Sequence, residues 1–273
     1  MKPTRYACSS LRCFLLFFSV VSFQSFLTHS MTTTTSSQPV FTIYYWPFKA
    51  RASGLFRMLV ESDVSFEHLT DRGAMPCALW GQSSTNLAPP IIVDHQAASG
   101  KSLTLSQAVP CHAYIGTKLG LDKGIDVPEI AQQYMQDWSD WHSELAEKAV
   151  ADRKDNGISA LKQHIMSDRY KMHLQAINRS IKGPYYFGET PTYVDFALCS
   201  YLDMACEKWL DPLLPKSGDT LTAHAPKAAH IYQQLCRLPS ASKLDHLLRA
   251  PASLVIPHER VAMWDTTESH KEG

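Results

Sequence analysis

Tyr45 closes a β-type run, Phe41 to Trp46, which Pro47 ends. A basic turn leads to Arg51, and an apolar helical stretch follows with Leu55, Phe56, Leu59 and Val60 on its faces. A phenol therefore sits at the carboxyl end of a strand, beside a helix amino terminus. In open α/β sheets that is where ligands collect. The helix end favours an anion, and a neighbouring phenol hydroxyl can donate a hydrogen bond to a bound thiolate. A thiol is a poor nucleophile until it loses its proton. Lowering its pKa by on the order of 2 units corresponds to about 2.7 kcal/mol. Arg51 would add fixed charge; an arginine at a helix start is mildly opposed by the dipole, which argues for a use. The alternative for Tyr45 is a strand aromatic packed in a core. Tyr44 should face the other side of the strand.

These residues need a frame. The pattern predicts strands at 41–46, 65–70, 90–94 and 101–105 and helices at 50–62 and 107–119. The second helix puts Ala108, Cys111, His112, Ile115 and Leu119 on one face, and Gly120 stops it. Residues 71–88 are irregular, and 121–128 read as a linker. Everything after reads as helical. Apolar stripes run through Ile130, Tyr134, Trp138, Trp141 and Leu145; through Ile158, Leu161, Ile165, Met172 and Ile177; and through Val194, Ala197, Leu198, Tyr201, Ala205 and Trp209. Shorter helices are expected at 225–237 and 241–249, and residues 251–273 as a tail, polar from Asp265 onward. Thr192 and Asp195 have capping-box spacing.

Bulk properties exclude several classes. The 273 residues suffice for two modest domains, and equal numbers of acidic and basic residues leave no basic footprint for nucleic acid. The twelve histidines include no HExxH, so no metal site is expected. Cys77, Cys111, Cys199, Cys206 and Cys236 show no CxxC, and an odd number past the leader excludes a complete disulfide framework.

The stretch LAPPIIVD from Leu87, and SLTLSQAVPCHAYIGTKLGL from Ser102, complete a series with the Tyr45 segment. The order strand-Tyr-helix, strand, Pro-led strand, strand, "SQ" turn, helix, "LGL" resembles the amino-terminal domain of the cytosolic glutathione transferases. The match runs from about 41 to 121, with a weaker one to about 250. The resemblance implies an α/β plus all-α fold: a thioredoxin-like glutathione-binding domain at 41–121 and a helical-bundle domain at 128–250. It implies a tyrosine-type enzyme (sigma-, mu- or pi-like) in which Tyr45 stabilises the glutathione thiolate for attack on an apolar electrophile. Glutathione is then a co-substrate, with no further cofactor, and the protein is a homodimer. The "G…[ST]xxD" capping box is also a family feature, with a role in folding.

The same resemblance assigns further residues. Arg51 helps bind glutathione. Pro90 is the cis residue, and Pro89 pairs strand-like with the cysteinyl peptide, although it lacks an amide hydrogen. Gln107 and position 108 hold the γ-glutamyl carboxylate; relatives carry serine where this chain has Ala108. One charge-assisted bond is thereby lost, about 1.5–3 kcal/mol of affinity. Asp137, with Asp140 as rival, reaches across the dimer interface to the glutathione amine. Trp80 lies near the glycyl end. Tyr114, Tyr134 and Trp141 are candidates for the electrophile pocket. Ala108 and Pro89 keep open a non-catalytic binding protein, and a glutathione-dependent isomerase or peroxidase would need the same thiolate.

Residues 1–40 differ from the rest. Basic residues flank an apolar run of about ten residues, a Thr/Ser tract follows, and no acid precedes Glu61. This is a leader pattern, open between a signal peptide and a plastid or mitochondrial transit peptide. The run is short for a membrane span. Met31 is a possible internal start for a cytosolic form.

Overall fold

The computed structural model describes residues 39–78, 81–154, 159–206 and 217–248. The leader up to residue 38, Trp80, Ile158, Trp209 and the 251–273 tail lie outside the described residues.

Four strands form one sheet: β1 (Phe41–Tyr44), β2 (Phe66–Leu69), β3 (Ile91–Asp94) and β4 (Leu103–Ser106), in the order β2-β1-β3-β4. β1 runs parallel to β2 and antiparallel to β3, which is antiparallel to β4. Alternation along β1 decides what each face meets. Phe41, Ile43 and Tyr45 point into the main core, while Tyr44 packs on a separate small cluster of Met75, Cys77 and Ile91.

Helix α1 (Ser53–Glu61) follows β1 and α2 (Ala108–Lys118) follows β4. The remainder is helical: α3 (Pro128–Lys154), α4 (Ser159–Met166), α5 (Asp168–Ser180), α6 (Tyr193–Ala205), α7 (Ser217–His224), α8 (Pro226–Leu235) and α9 (Pro239–Leu247). α6 is the centre of this half. It is buried on nearly every side and packs on α1, α2, α3 and α8. Its first turn is fixed by the capping box: the Thr192 amide and hydroxyl donate to Asp195 at 2.7 and 2.8 Å, and the Tyr186 amide adds a third bond at 2.9 Å.

Two glycines let α6 come close to the sheet-side helices. A Cβ on Gly54 would lie 2.2 Å from the Phe196 carbonyl oxygen, and one on Gly116 would lie 2.2 Å from the Tyr193 side chain. A buried ion pair crosses the same junction. Arg57 of α1 donates from Nη2 to both Asp203 oxygens of α6 at 3.0 Å, and Tyr232 of α8 donates to Asp203 at 2.9 Å. At the carboxyl end of α1, Glu61 accepts from the Ser240 amide of α9 at 2.7 Å, and ahead of α1 Lys49 pairs with Asp245 of α9 at 2.6 Å.

Three expectations need correction. Met172 is 66% exposed although it fell on an apolar stripe. Ser167 caps a new helix there by accepting from the Tyr170 amide, so α4 and α5 do not share one periodicity. Ile130 lies at the exposed start of α3, and Ala131 and Met135 take the core positions in that turn. Arg51 precedes α1 instead of lying in its first turn, because the helix begins at Ser53.

Candidate functional site

The register of the sheet assembles the site. Tyr44 pairs with Leu69 on one side and Ile91 on the other, and Ile91 pairs with Ser106. The residues just past these, Tyr45, Pro90 and Gln107, therefore share one end of the sheet. Neighbouring strands lie about 4.8 Å apart, so Tyr45 and Gln107 are separated by about two such spacings. Both α1 and α2 start at this end, and their amino termini bring two positive dipole ends to it.

Tyr45 is held firmly. Its amide donates to the Leu69 carbonyl at 3.1 Å, and His68 Nε2 donates to its carbonyl at 3.0 Å. The ring is 2% exposed and packs edge-on to Trp46 at 5.1 Å and against Phe48 at 6.1 Å. Burial pushes the phenol pKa well up, against the charge and the backbone N–H of Arg51. The phenol thus stays protonated. An oxygen that accepts the Arg51 N–H can still donate its own proton.

Arg51 also acts on Tyr201 of α6, which the sequence marks only as a member of an apolar stripe, and on His142 of α3, which it does not mark. Their rings are 5.5 Å apart, and both are buried. Burial first, and Arg51 second, push His142 down to about 3.

The Pro89–Pro90 peptide is cis, and both prolines are buried. Gln107 has φ 76° and ψ 146°, a conformation that favours glycine and costs other residues on the order of 1–3 kcal/mol. Its amide reaches the Ala88 carbonyl at 3.4 Å, joining the α2 start to the cis-proline loop. Ala108 opens α2 at 7% exposure. Pro110 has no amide hydrogen, so the Ala108 and Val109 amides are the donors of the first turn that could meet an anion.

Asp137 belongs to other surroundings. It lines a groove of about 810 Å³ between α3 and α5 with Asp140, Glu144, Arg169 and His173. Burial raises its carboxyl pKa, His173 opposes the shift and Asp140 adds to it. Tyr114 does not serve a pocket at Tyr45. Its hydroxyl donates to Asp94 at 2.6 Å, and Asp94 pairs with Phe41 at the opposite end of the sheet. Tyr134 packs on Tyr186 and Phe187, and Trp141 on Trp138 and Tyr170, within the helical core.

His112 and Ser200 form a buried chain beneath the site. His112 Nδ1 lies 2.8 Å from the Ala108 carbonyl, so this nitrogen carries the proton. Nε2 then accepts from the Ser200 hydroxyl at 3.1 Å, and Ser200 Oγ accepts the Gly54 amide at 2.7 Å. Burial lowers the His112 pKa to about 4, even though the Ala108 carbonyl favours the charged ring. The sequence marks His112 only as a member of an apolar face, and its partner is 88 residues away.

This yields a pH prediction. His112 titrates near 6.5 when unfolded and near 4 when folded, so the unfolded chain binds the extra proton between those values. The stability it contributes is complete above about pH 6.5 and is lost as pH falls toward 4. Asp195 has the opposite sign. Burial raises it to about 6, so acidification favours the fold there and masks part of the loss. The effect is therefore read as a difference. Between pH 7 and 4.5 the wild type should lose about 2–3 kcal/mol more than His112→Gln, by urea unfolding. Parallel pH profiles would refute the assignment.

Among the described residues no group of three His, Cys, Asp or Glu side chains could hold a metal ion, and no helix is long and apolar enough to cross a membrane.

A four-stranded mixed sheet with the candidate site at one end, joined to a helical bundle, defines a class: a thioredoxin-like domain followed by a helical domain, the glutathione transferase fold. Residues 139–241 match the family described as glutathione S-transferase, C-terminal domain. Solved structures share the fold. A glutathione transferase family member from Pseudomonas fluorescens Pf-5, with two glutathione bound, is 16% identical over 78% of this chain and 94% of that one, TM-score 0.59. Prostaglandin synthase D of Nilaparvata lugens is 18% identical over 78% and 100%, TM-score 0.56. Ure2p5 from Phanerochaete chrysosporium, cocrystallised with 1-(S-glutathionyl)-2,4-dinitrobenzene, is 12% identical over 78% and 96%, TM-score 0.59. No curated protein sequence matches significantly. Residues 139–241 thus carry the carboxyl-terminal domain of the glutathione S-transferases, and the chain as a whole has their fold.

Proposed function

We propose that the protein is a glutathione transferase in which Tyr45 donates a hydrogen bond to the glutathione thiolate. The observation that carries this reading is the Tyr45 phenol, kept protonated by burial beside the Arg51 N–H at the start of α1. The two helix ends and Arg51 favour the thiolate over the thiol. The sulfur attacks an electrophilic carbon: a C–S bond forms, the leaving group departs with its electron pair, and the thiol proton goes to solvent. The Val109 and Ala108 amides and the Gln107 turn hold the γ-glutamyl carboxylate. Cis Pro90 presents the Pro89 carbonyl to the cysteinyl amide. The protein acts as a homodimer, in which Asp137 of one protomer serves the site of the other; its place in the α3/α5 groove, outside the contacts of Tyr45, supports that role. The bound ligands of the fold relatives support glutathione and an aromatic electrophile as substrates.

The test is retention on immobilised glutathione together with conjugation of an aromatic chloride. A second reading, a binding protein without turnover, rests on the 2% exposure of Tyr45 and on Ala108 and Pro89. Retention without conjugation would establish it. Ala108→Ser addresses the carboxylate turn. The added hydroxyl should tighten glutathione by about tenfold in titration calorimetry, as one further bond to a charged group. Weaker binding would place the carboxylate elsewhere.

A further inference from the structure

The residue before α1 is Ala52, whose side chain cannot cap a helix, and no side-chain cap is formed there. The amino end of α1 is nevertheless satisfied from the other half of the molecule, because Ser200 Oγ of α6 takes the Gly54 amide at 2.7 Å. Gly54 follows Arg51 by three residues, so this bond acts on the same helix end that contacts Tyr45. The hydroxyl proton is directed to His112 Nε2, and the opposite ring nitrogen is fixed on the carbonyl of Ala108, the first residue of α2. One continuous chain of hydrogen bonds therefore links the first turn of α1 to the first turn of α2. Every member is buried, with Ser200 and His112 at 0% exposure. There is no slack in it, since even a methyl group on Gly54 would lie 2.6 Å from His112 Nε2.

We infer that His112 and Ser200 are positioning residues, which hold the amino ends of α1 and α2 in fixed relation across the glutathione site. The inference rests on the proposed function for the role of those helix ends, and on the bond geometry for the coupling itself. Helix-end potential acts only on groups within about the first turn, so a small shift of either end weakens it. Neither residue touches glutathione in this account. Ser200 supplies the cap that Ala52 lacks, and His112 orients that hydroxyl.

Two readouts separate the coupling from the chemistry. The first is amide hydrogen exchange of the ligand-free protein at residues 54–55 and 108–109. Ser200→Ala should speed exchange at Gly54 by about tenfold, and exchange at 108–109 should rise with it. The second is a pH titration of thiolate absorbance with saturating glutathione. Ser200→Ala should raise the apparent pKa of the bound thiol by about half a unit and lower kcat about threefold, with KM little changed. Ser200→Thr, which keeps a hydroxyl, should restore both readouts. If Ser200→Ala does not fold, His112→Gln is the second variant and should move both in the same direction. A folded variant with unchanged exchange at 108–109, or with an unchanged thiol pKa, overturns the inference. If the wild type binds no thiolate, the proposed function fails, and exchange at the two helix ends alone decides the coupling.

Discussion

Asp203→Ala is expected to destabilise the protein by about 3–5 kcal/mol. Asp203 is 1% exposed and is the carboxylate facing Arg57, which is 2% exposed. Burial works against the guanidinium charge, and Asp203 beside it more than restores it. Removing the carboxylate leaves a buried cation with a backbone carbonyl, Leu235 O at 3.5 Å, as a distant acceptor. Tyr232 loses its acceptor as well. For a chain of this size the cost corresponds to a fall in Tm of about 10 °C. The pair is nonetheless costly to desolvate, so Arg57→Met combined with Asp203→Leu should lose much less than Asp203→Ala alone. Thermal or urea unfolding of the three variants checks both statements. A single variant within about 1 kcal/mol of wild type would show that the pair does not hold α1 to α6.

Tyr45→Phe is expected to lower conjugation of an aromatic chloride about 10²-fold, with glutathione affinity little changed. The effect should be chemical and not structural. Phenylalanine retains the packing on Trp46 and Phe48, and the backbone bonds to Leu69 and His68 do not involve the hydroxyl. The hydroxyl is deleted both as donor to the thiolate and as acceptor of the Arg51 N–H. Tyr44→Phe is the matched control, because Tyr44 packs on Met75, Cys77 and Ile91 on the other face of the strand. Steady-state kinetics of the two variants should separate sharply. Equal rates for Tyr45→Phe and wild type would remove this phenol from the mechanism.

Local signals in the sequence carry much of this architecture. Period-two alternation places Tyr45 and Tyr44 on opposite faces, and the Thr192–Asp195 spacing produces the capping box. Once four strands are recognised, their register brings Tyr45, Pro90 and Gln107 to one end of the sheet. Long-range contacts leave no such trace. Arg57 and Asp203 are 146 residues apart, as are Gly54 and Ser200, and each reads locally as an ordinary helix residue. Met172 fell on a stripe that crosses the Ser167 break, and Tyr114 sits at the far end of the sheet because a helix 11 residues long spans it. Arg51 shows a third limit, where a residue at a helix boundary can fall just outside it.

The glutathione thiol itself gives the most direct measurement. Wild-type protein saturated with glutathione should show thiolate absorbance titrating about 2 units below the ordinary thiol value near 8.5. Such a shift requires the hydrogen-bond donor and the positive helix ends to act on the sulfur. A bound thiol that titrates where free glutathione does would contradict the account, because the tyrosine and the helix ends would then not be facing it.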